Sequence, residues 1–170
     1  MIEPKRKLLQ DISLFSSLSS TNTITFLLER AIETQRKKGE YFFQEGDAAE
    51  SLFILESGHI AVIKYWEDRQ YLLAEMHAGA CFGEMALMDS YPRSASIIAL
   101  EDSIALEITV STLLELCEND LADFSSLQMN LGREVSQRLR ELEDRLFQFR
   151  LLSDSVAREF RGQEFIAPEA

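Results

Sequence analysis

Between Gly39 and Ile108 the chain breaks into short apolar runs, each closed by glycine or charged turn residues. Tyr41-Phe42-Phe43 ends at Glu45-Gly46-Asp47, and Ser51 to Leu55 ends at Glu56-Ser57-Gly58-His59. Ile60 to Tyr65 ends at Trp66-Glu67-Asp68-Arg69, and Tyr71–Met76, Ala95–Leu100 and Ser103–Ile108 follow. At a spacing of about ten residues they predict strands of an antiparallel sandwich, barrel or jelly roll. Gly46 and Gly58 sit where the turns call for positive φ, which glycine adopts without a Cβ penalty.

Helical patterns flank this block. Ile24, Leu27, Leu28, Ala31 and Ile32 recur at steps of three and four, which predicts an amphipathic helix over Thr21–Thr34. Ser111–Glu118 reads as a short helix, and a long helix is expected over about 121–150. From Val135 its apolar positions Leu139, Leu142, Leu146 and Phe149 fall on a heptad-like seam suited to a second copy of the chain. Gly132 interrupts that helix and weakens it by ~1 kcal/mol relative to Ala. The domain is therefore placed at 1–152, with a frayed tail at 153–170.

Composition narrows the function. In 170 residues, 17 basic side chains face 29 acidic ones, for a net charge of −12. Direct nucleic-acid binding needs clustered Lys and Arg and is not expected. No apolar stretch approaches the ~20 residues of a membrane span. No signal peptide is visible at the start, so a cytoplasmic protein with reduced Cys81 and Cys117 is expected. Enzymatic readings lack residues. His59 and His77 have no neighbours at metal-ligand spacing, and two cysteines fall short of an iron–sulfur set. Both thiols read as small core hydrophobes. No metal and no catalytic residue is expected.

The informative stretch is Phe82-Gly83-Glu84-Met85-Ala86-Leu87-Met88-Asp89-Ser90-Tyr91-Pro92-Arg93-Ser94-Ala95-Ser96. Gly83 permits a sharp turn after a strand. Glu84–Met88 favours one or two helical turns, and Pro92 stops them. A helix start offers unpaired N–H groups to an anion. Arg93 brings a planar guanidinium for a phosphate. Glu84 can accept hydrogen bonds from a hydroxyl. Together they suit a ligand carrying both a ribose hydroxyl and an anionic phosphate. The bland alternative is an exposed Glu–Arg pair across a turn, which contributes little.

This stretch resembles the phosphate-binding cassette of the cyclic-nucleotide-binding domain family, which includes the catabolite activator protein, regulatory subunits of protein kinase A and cyclic-nucleotide-gated channels. Lys38-Gly39-Glu40, Phe43-Gln44-Glu45-Gly46-Asp47 and Leu52-Phe53-Ile54-Leu55-Glu56-Ser57-Gly58 resemble the family's first hairpins. The resemblance implies a mainly β fold: an antiparallel β-roll with an N-terminal helix, a short cassette helix and a long C-terminal helix. It implies that Glu84 accepts from the ribose 2′-hydroxyl and that Gly83 lies near the same sugar. Met85 and Ala86 would offer backbone N–H groups, and Arg93 would pair with the cyclic phosphate. Ser94 would add a hydroxyl near phosphate or base, and Ala95 a backbone N–H. In relatives the long helix covers the base. Here Arg138-Leu139 or Leu142-Glu143 would stand there, so Leu139 or Leu142 would form an apolar lid. Only about twenty residues follow Arg150, too few for the activator's DNA-binding domain.

The expectation is a sensor for cAMP in preference to cGMP that homodimerises through its last helix and switches a protein partner. Two other readings stay open. One is a dimeric scaffold that no longer binds nucleotide. The other is the regulatory subunit of a separately encoded enzyme.

Overall fold

The computed structural model describes residues 2–16, 18, 21–87 and 91–162. Eight strands form two four-stranded antiparallel sheets. The strands are β1 (Ile32–Arg36), β2 (Tyr41–Phe43), β3 (Ser51–Ser57), β4 (His59–Trp66), β5 (Arg69–His77), β6 (Cys81–Phe82), β7 (Ser96–Ala99) and β8 (Ser103–Thr109). One sheet has the order β1-β8-β3-β6 and the other β2-β7-β4-β5. The helices are α1 (Ile2–Asp11), α2 (Thr21–Arg30), α3 (Val110–Asn119) and α4 (Leu121–Gly162). The mainly β roll with flanking helices is therefore what the structure contains.

The chain divides into two units, 1–131 and 132–170. In the first, β3 explains the arrangement. Ser51 to Leu55 are all buried, because one face of the strand meets the other sheet and the opposite face meets helices. Phe53 and Leu55 join Phe42, Ile60, Phe82, Ile97, Ala99 and Ala105 inside the roll. Leu52 and Ile54 point the other way, onto Leu9, Leu14, Phe15, Ile24, Leu27, Leu113, Leu116, Leu127 and Leu131. Period-two alternation on a doubly covered strand produces this continuous apolar run.

Two buried polar contacts fix the helical layer. The Thr23 hydroxyl donates to Asp123 at 2.5 Å, and the Asn130 amide donates to the Leu14 carbonyl at 3.0 Å. Thr109 caps α3, accepting from the Thr112 N–H, and Asp120 accepts from the Asp123 N–H at the start of α4. Gly58 (φ 104°) turns β3 into β4, and a Cβ there would lie 2.7 Å from the Ser103 Cα. The β4–β5 turn uses Glu67 and Asp68, both at positive φ (46° and 62°).

Several expectations change. The helix expected to reach Thr34 stops at Arg30, and Ile32 to Arg36 pair instead with Glu107 to Ser103 of β8. β-Branched Ile32 and Thr34 suit a ladder better than a fourth helical turn. The helix α1 was not anticipated, because Pro4 and the Lys5-Arg6-Lys7 run hide its apolar spacing. Pro4 stands in its first turn, where no backbone donor is lost. Helix α4 continues to Gly162, so the tail expected from residue 153 begins as helix. Residues 163–170 lie outside the described residues.

Candidate ligand-binding site

Arg93 is placed by its own backbone. Its N–H donates to the Asp47 carbonyl at 2.9 Å, and its carbonyl accepts from the Gly46 N–H at 2.9 Å. Three residues on, the Ser96 hydroxyl accepts from the Glu45 N–H at 2.8 Å. These bonds stitch the β2–β3 turn, where Gly46 takes φ 89°, to the strand entering β7.

The Arg93 side chain is then buried, 7% exposed. Its Nη1 donates to the Gly83 carbonyl at 2.9 Å and its Nη2 to the Ser51 carbonyl at 2.7 Å. The guanidinium lies 4.0 Å from the centroid of Phe43 and 5.7 Å from that of Phe53. Burial holds its pKa below the ordinary arginine value, opposed by the negative charges of Glu107, Asp47 and Glu84. One of the three guanidinium nitrogens is left over. Nε is buried and has no hydrogen-bond partner among the described residues. A buried charge-bearing donor without an acceptor is costly, and an anion at that atom would remove the cost.

Gly83 makes this packing feasible. It takes φ 72°, and a Cβ there would stand 2.6 Å from Arg93 Nη1 and 3.2 Å from Phe43 Cε1. Glu84 follows at 2% exposure and opens a 3-10 turn over Glu84–Leu87. The expected cassette helix is thus one short turn, too short for a helix dipole to matter, so individual N–H groups carry any contribution. Met85 is exposed, Ala86 lies in the same turn, and Ala95 is half-buried. The exposed Ser94 hydroxyl approaches Met85 Sδ at 3.9 Å, a weak contact. Met88, Asp89 and Ser90 lie outside the described residues. The structure therefore brings together Gly83, Glu84 and Arg93. Leu139 and Leu142 belong to the second unit, on α4, and are 57% and 59% exposed.

Sequence reasoning missed Ser51, Phe43 and Glu107 as parts of the site. Glu107 accepts from the Ser51 hydroxyl at 2.7 Å and from Thr34 at 3.2 Å, which holds a carboxylate close to the guanidinium. Its signal was present: a lone Glu in the run Ile104-Ala105-Leu106-Glu107-Ile108, at the alternation position of inward-facing Ala105. Among the described residues no group of three or more His, Cys, Asp or Glu side chains could hold a metal ion. No helix among them is long and apolar enough to cross a membrane. His59 and His77 face each other across the β4–β5 ladder with rings stacked at 4.2 Å.

The family model for the cyclic nucleotide-binding domain matches residues 33–120. Human cGMP-dependent protein kinase 2 is 30% identical over 145 residues, covering 84% of this chain and 18% of the kinase. The cyclic AMP receptor protein of Thermus thermophilus is 30% identical over 107 residues, covering 62% of this chain and 48% of that protein. The chain thus spans at most about half the length of these relatives. Among solved structures, a cyclic nucleotide-binding domain from Methylobacillus flagellatus superposes with a TM-score of 0.75 at 25% identity, covering 86% of this chain and 83% of the other.

Proposed function

The chain belongs to the cyclic nucleotide-binding domain family, and on that premise we propose that it is a regulatory sensor of cyclic nucleotides with Arg93 at the phosphate and Glu84 at the ribose. The observation that carries this reading is the buried Nε of Arg93, a cationic donor held in place by Gly83, Ser51 and Phe43 and lacking a partner. A cyclic phosphate supplies the acceptor and the negative charge together. Glu84, next to the Gly83 that Arg93 contacts and also buried, suits the adjoining 2′-hydroxyl. Gly83, Met85, Ala86, Ser94 and Ala95 complete the cradle by backbone and hydroxyl groups.

Both cAMP and cGMP present the same ribose and phosphate, so discrimination falls to the base. Leu139 or Leu142 would offer it an apolar lid, and Ser94 a single hydroxyl worth ~0.5–1.5 kcal/mol. Cyclic AMP is placed ahead, after the ligand for which the Thermus relative is named, by about tenfold at most, or ~1.4 kcal/mol. The exposed apolar residues Leu142, Leu146 and Phe149 on α4 support a homodimer along that helix. Ligand binding would shift a conformational equilibrium felt by a protein partner, to the extent that its affinity differs between the two states.

Calorimetric titration of nucleotide-stripped protein tests the reading. Both nucleotides should bind, and Arg93→Ala should weaken binding by roughly 2–5 kcal/mol, the range for removing one member of a buried charged pair. Circular dichroism checks that the variant is folded. Unchanged affinity in a folded Arg93→Ala protein would remove Arg93 from the site and overturn the proposal.

A further inference from the structure

The Arg93 guanidinium is anchored at both terminal nitrogens, and the two anchors differ in kind. At Nη1 the acceptor is the Gly83 carbonyl, a backbone group whose direction the chain fixes. At Nη2 the acceptors are the Ser51 carbonyl at 2.7 Å and the Ser51 hydroxyl at 3.3 Å. A hydroxyl carries one proton and two lone pairs, and it rotates to suit its partners. Whether Ser51 turns a lone pair toward the guanidinium therefore depends on what takes its proton. Glu107 takes it: Oε1 accepts from the Ser51 hydroxyl at 2.7 Å. The other carboxylate oxygen accepts from the Thr34 hydroxyl at 3.2 Å, which orients the carboxylate. In the two ladders Glu107 stands opposite Phe53 of β3 and Ile32 of β1. Ser51 and Thr34 are thus its diagonal neighbours, within reach of a long side chain. Three adjacent strands of one sheet converge on this carboxylate, and Ser51 links it to a side chain that enters from the segment before β7, in the other sheet. Asp47, another nearby charge, is tied into its own turn, where it accepts from the Gln44 N–H at 2.7 Å. Burial pushes the Arg93 pKa down, and Glu107 is foremost among the charges that oppose the shift.

We propose that Glu107 is the positioning residue of Arg93: by taking the Ser51 proton it turns a Ser51 lone pair onto Nη2 and so holds the guanidinium with its unpartnered Nε free for a ligand. With Nη1 and Nη2 both bonded, the guanidinium plane is fixed, and a site held this way gains from the shell that locks its side chains. The consequence for nucleotide affinity rests on the reading of Arg93 as the phosphate contact. Glu107 is assigned no contact with the ligand and acts through Ser51. Its negative charge works against an anion, which separates two effects by sign. If charge alone mattered, every neutral substitution at Glu107 would strengthen nucleotide binding. If positioning matters, affinity follows the hydrogen bond to Ser51: it falls with a side chain that cannot accept and returns with a neutral one that can.

Two measurements on the full chain decide it, with Glu107→Met filling the same space without a good acceptor and Glu107→Gln keeping one. The first needs no nucleotide. The Arg93 Nε–H resonance, identified by its absence from Arg93→Lys, reports how firmly the guanidinium is held. Glu107→Met should speed its exchange with water by about tenfold, the weight of one charge-assisted bond, and Glu107→Gln should restore most of the protection. The second titrates nucleotide-stripped protein with cyclic AMP by calorimetry. Glu107→Met should weaken binding by about tenfold and Glu107→Gln should regain most of it. In a Ser51→Ala background, where the link is already cut, Glu107→Met should change affinity by less than about twofold. Circular dichroism checks that each variant is folded, and Ser51→Ala alone should repeat the faster exchange. Unchanged exchange in folded Glu107→Met, a Glu107→Gln that loses as much as Glu107→Met, or a full further loss in the Ser51→Ala background would overturn the positioning role. A chain that binds no cyclic nucleotide while its Arg93 signal follows the expected pattern would support that role and refute the proposed function instead.

Discussion

Replacing Gly83 by alanine probes the site at its tightest point, and Gly79 supplies the control. Both glycines have positive φ, 72° and 91°. They differ in space: a Cβ at Gly79 meets nothing within 4 Å, whereas one at Gly83 stands 2.6 Å from Arg93 Nη1 and 3.2 Å from Phe43 Cε1. Forcing an L-residue into the left-handed region costs about 1–2 kcal/mol at either position. At Gly83 the methyl group must also displace a guanidinium tip. An exposed arginine would swing aside at little cost, but Arg93 is buried, bonded to Ser51 and packed on Phe43. Displacement breaks the 2.9 Å bond to the Gly83 carbonyl, a charge-assisted contact of ~1.5–3 kcal/mol. Gly83→Ala should therefore cost about 2.5–5 kcal/mol in total, against about 1–2 kcal/mol for Gly79→Ala. At about 2–4 °C per kcal/mol for a chain of this size, the melting point falls by roughly 5–20 °C for the first and 2–8 °C for the second. Urea and thermal unfolding of the nucleotide-free proteins, followed by far-UV circular dichroism, measure both. If the two variants are equally destabilised, Arg93 does not occupy the space beside Gly83, and the reasoning that places the site there fails.

Two further outcomes follow from local geometry. Asp68 holds φ 62° in the β4–β5 turn, so Asp68→Gly relieves left-handed strain of about 1–2 kcal/mol at a chain-entropy cost of about 0.5–1 kcal/mol and should raise stability slightly in urea unfolding. The Lys37 ammonium, 2.7 Å from Asp102, and the Lys38 N–H hold the Asp102 carboxyl below its ordinary value of 3.8. A carboxyl lowered by folding stabilises the native state above its unfolded pKa and ceases to do so as pH falls through its folded one. Asp102→Asn should thus flatten part of the loss of urea midpoint below about pH 4 while leaving the neutral-pH slope unchanged; an identical acid profile in the variant would remove Asp102 from that loss.

The sequence alone determined what neighbours a few residues apart can encode. Alternating apolar runs ending in Gly46, Gly58 or charged turns fixed most strands to within a residue or two, because pleat and turn chemistry are local. The stretch from Gly83 to Ala95 stood out through its resemblance to the family's cassette, and of it the structure shows the contact between Gly83 and Arg93. What lay beyond local patterning was decided by tertiary structure. Ile32 continues the helical spacing of Ile24, Leu27, Leu28 and Ala31, and pairing with β8, far along the chain, makes Ile32–Arg36 a strand instead. Ser51 and Glu107 read as ordinary strand residues until the β3–β8 ladder sets them beside Arg93. The run Leu52–Leu55 is apolar on both faces, which says that something covers each side but not what. Arg93 itself was named from sequence, yet its burial, its bonds to Gly83 and Ser51 and its unsatisfied Nε arise only from folding. Ladder pairing and desolvation join residues that share no local pattern, so their consequences exist only once the chain has closed on itself.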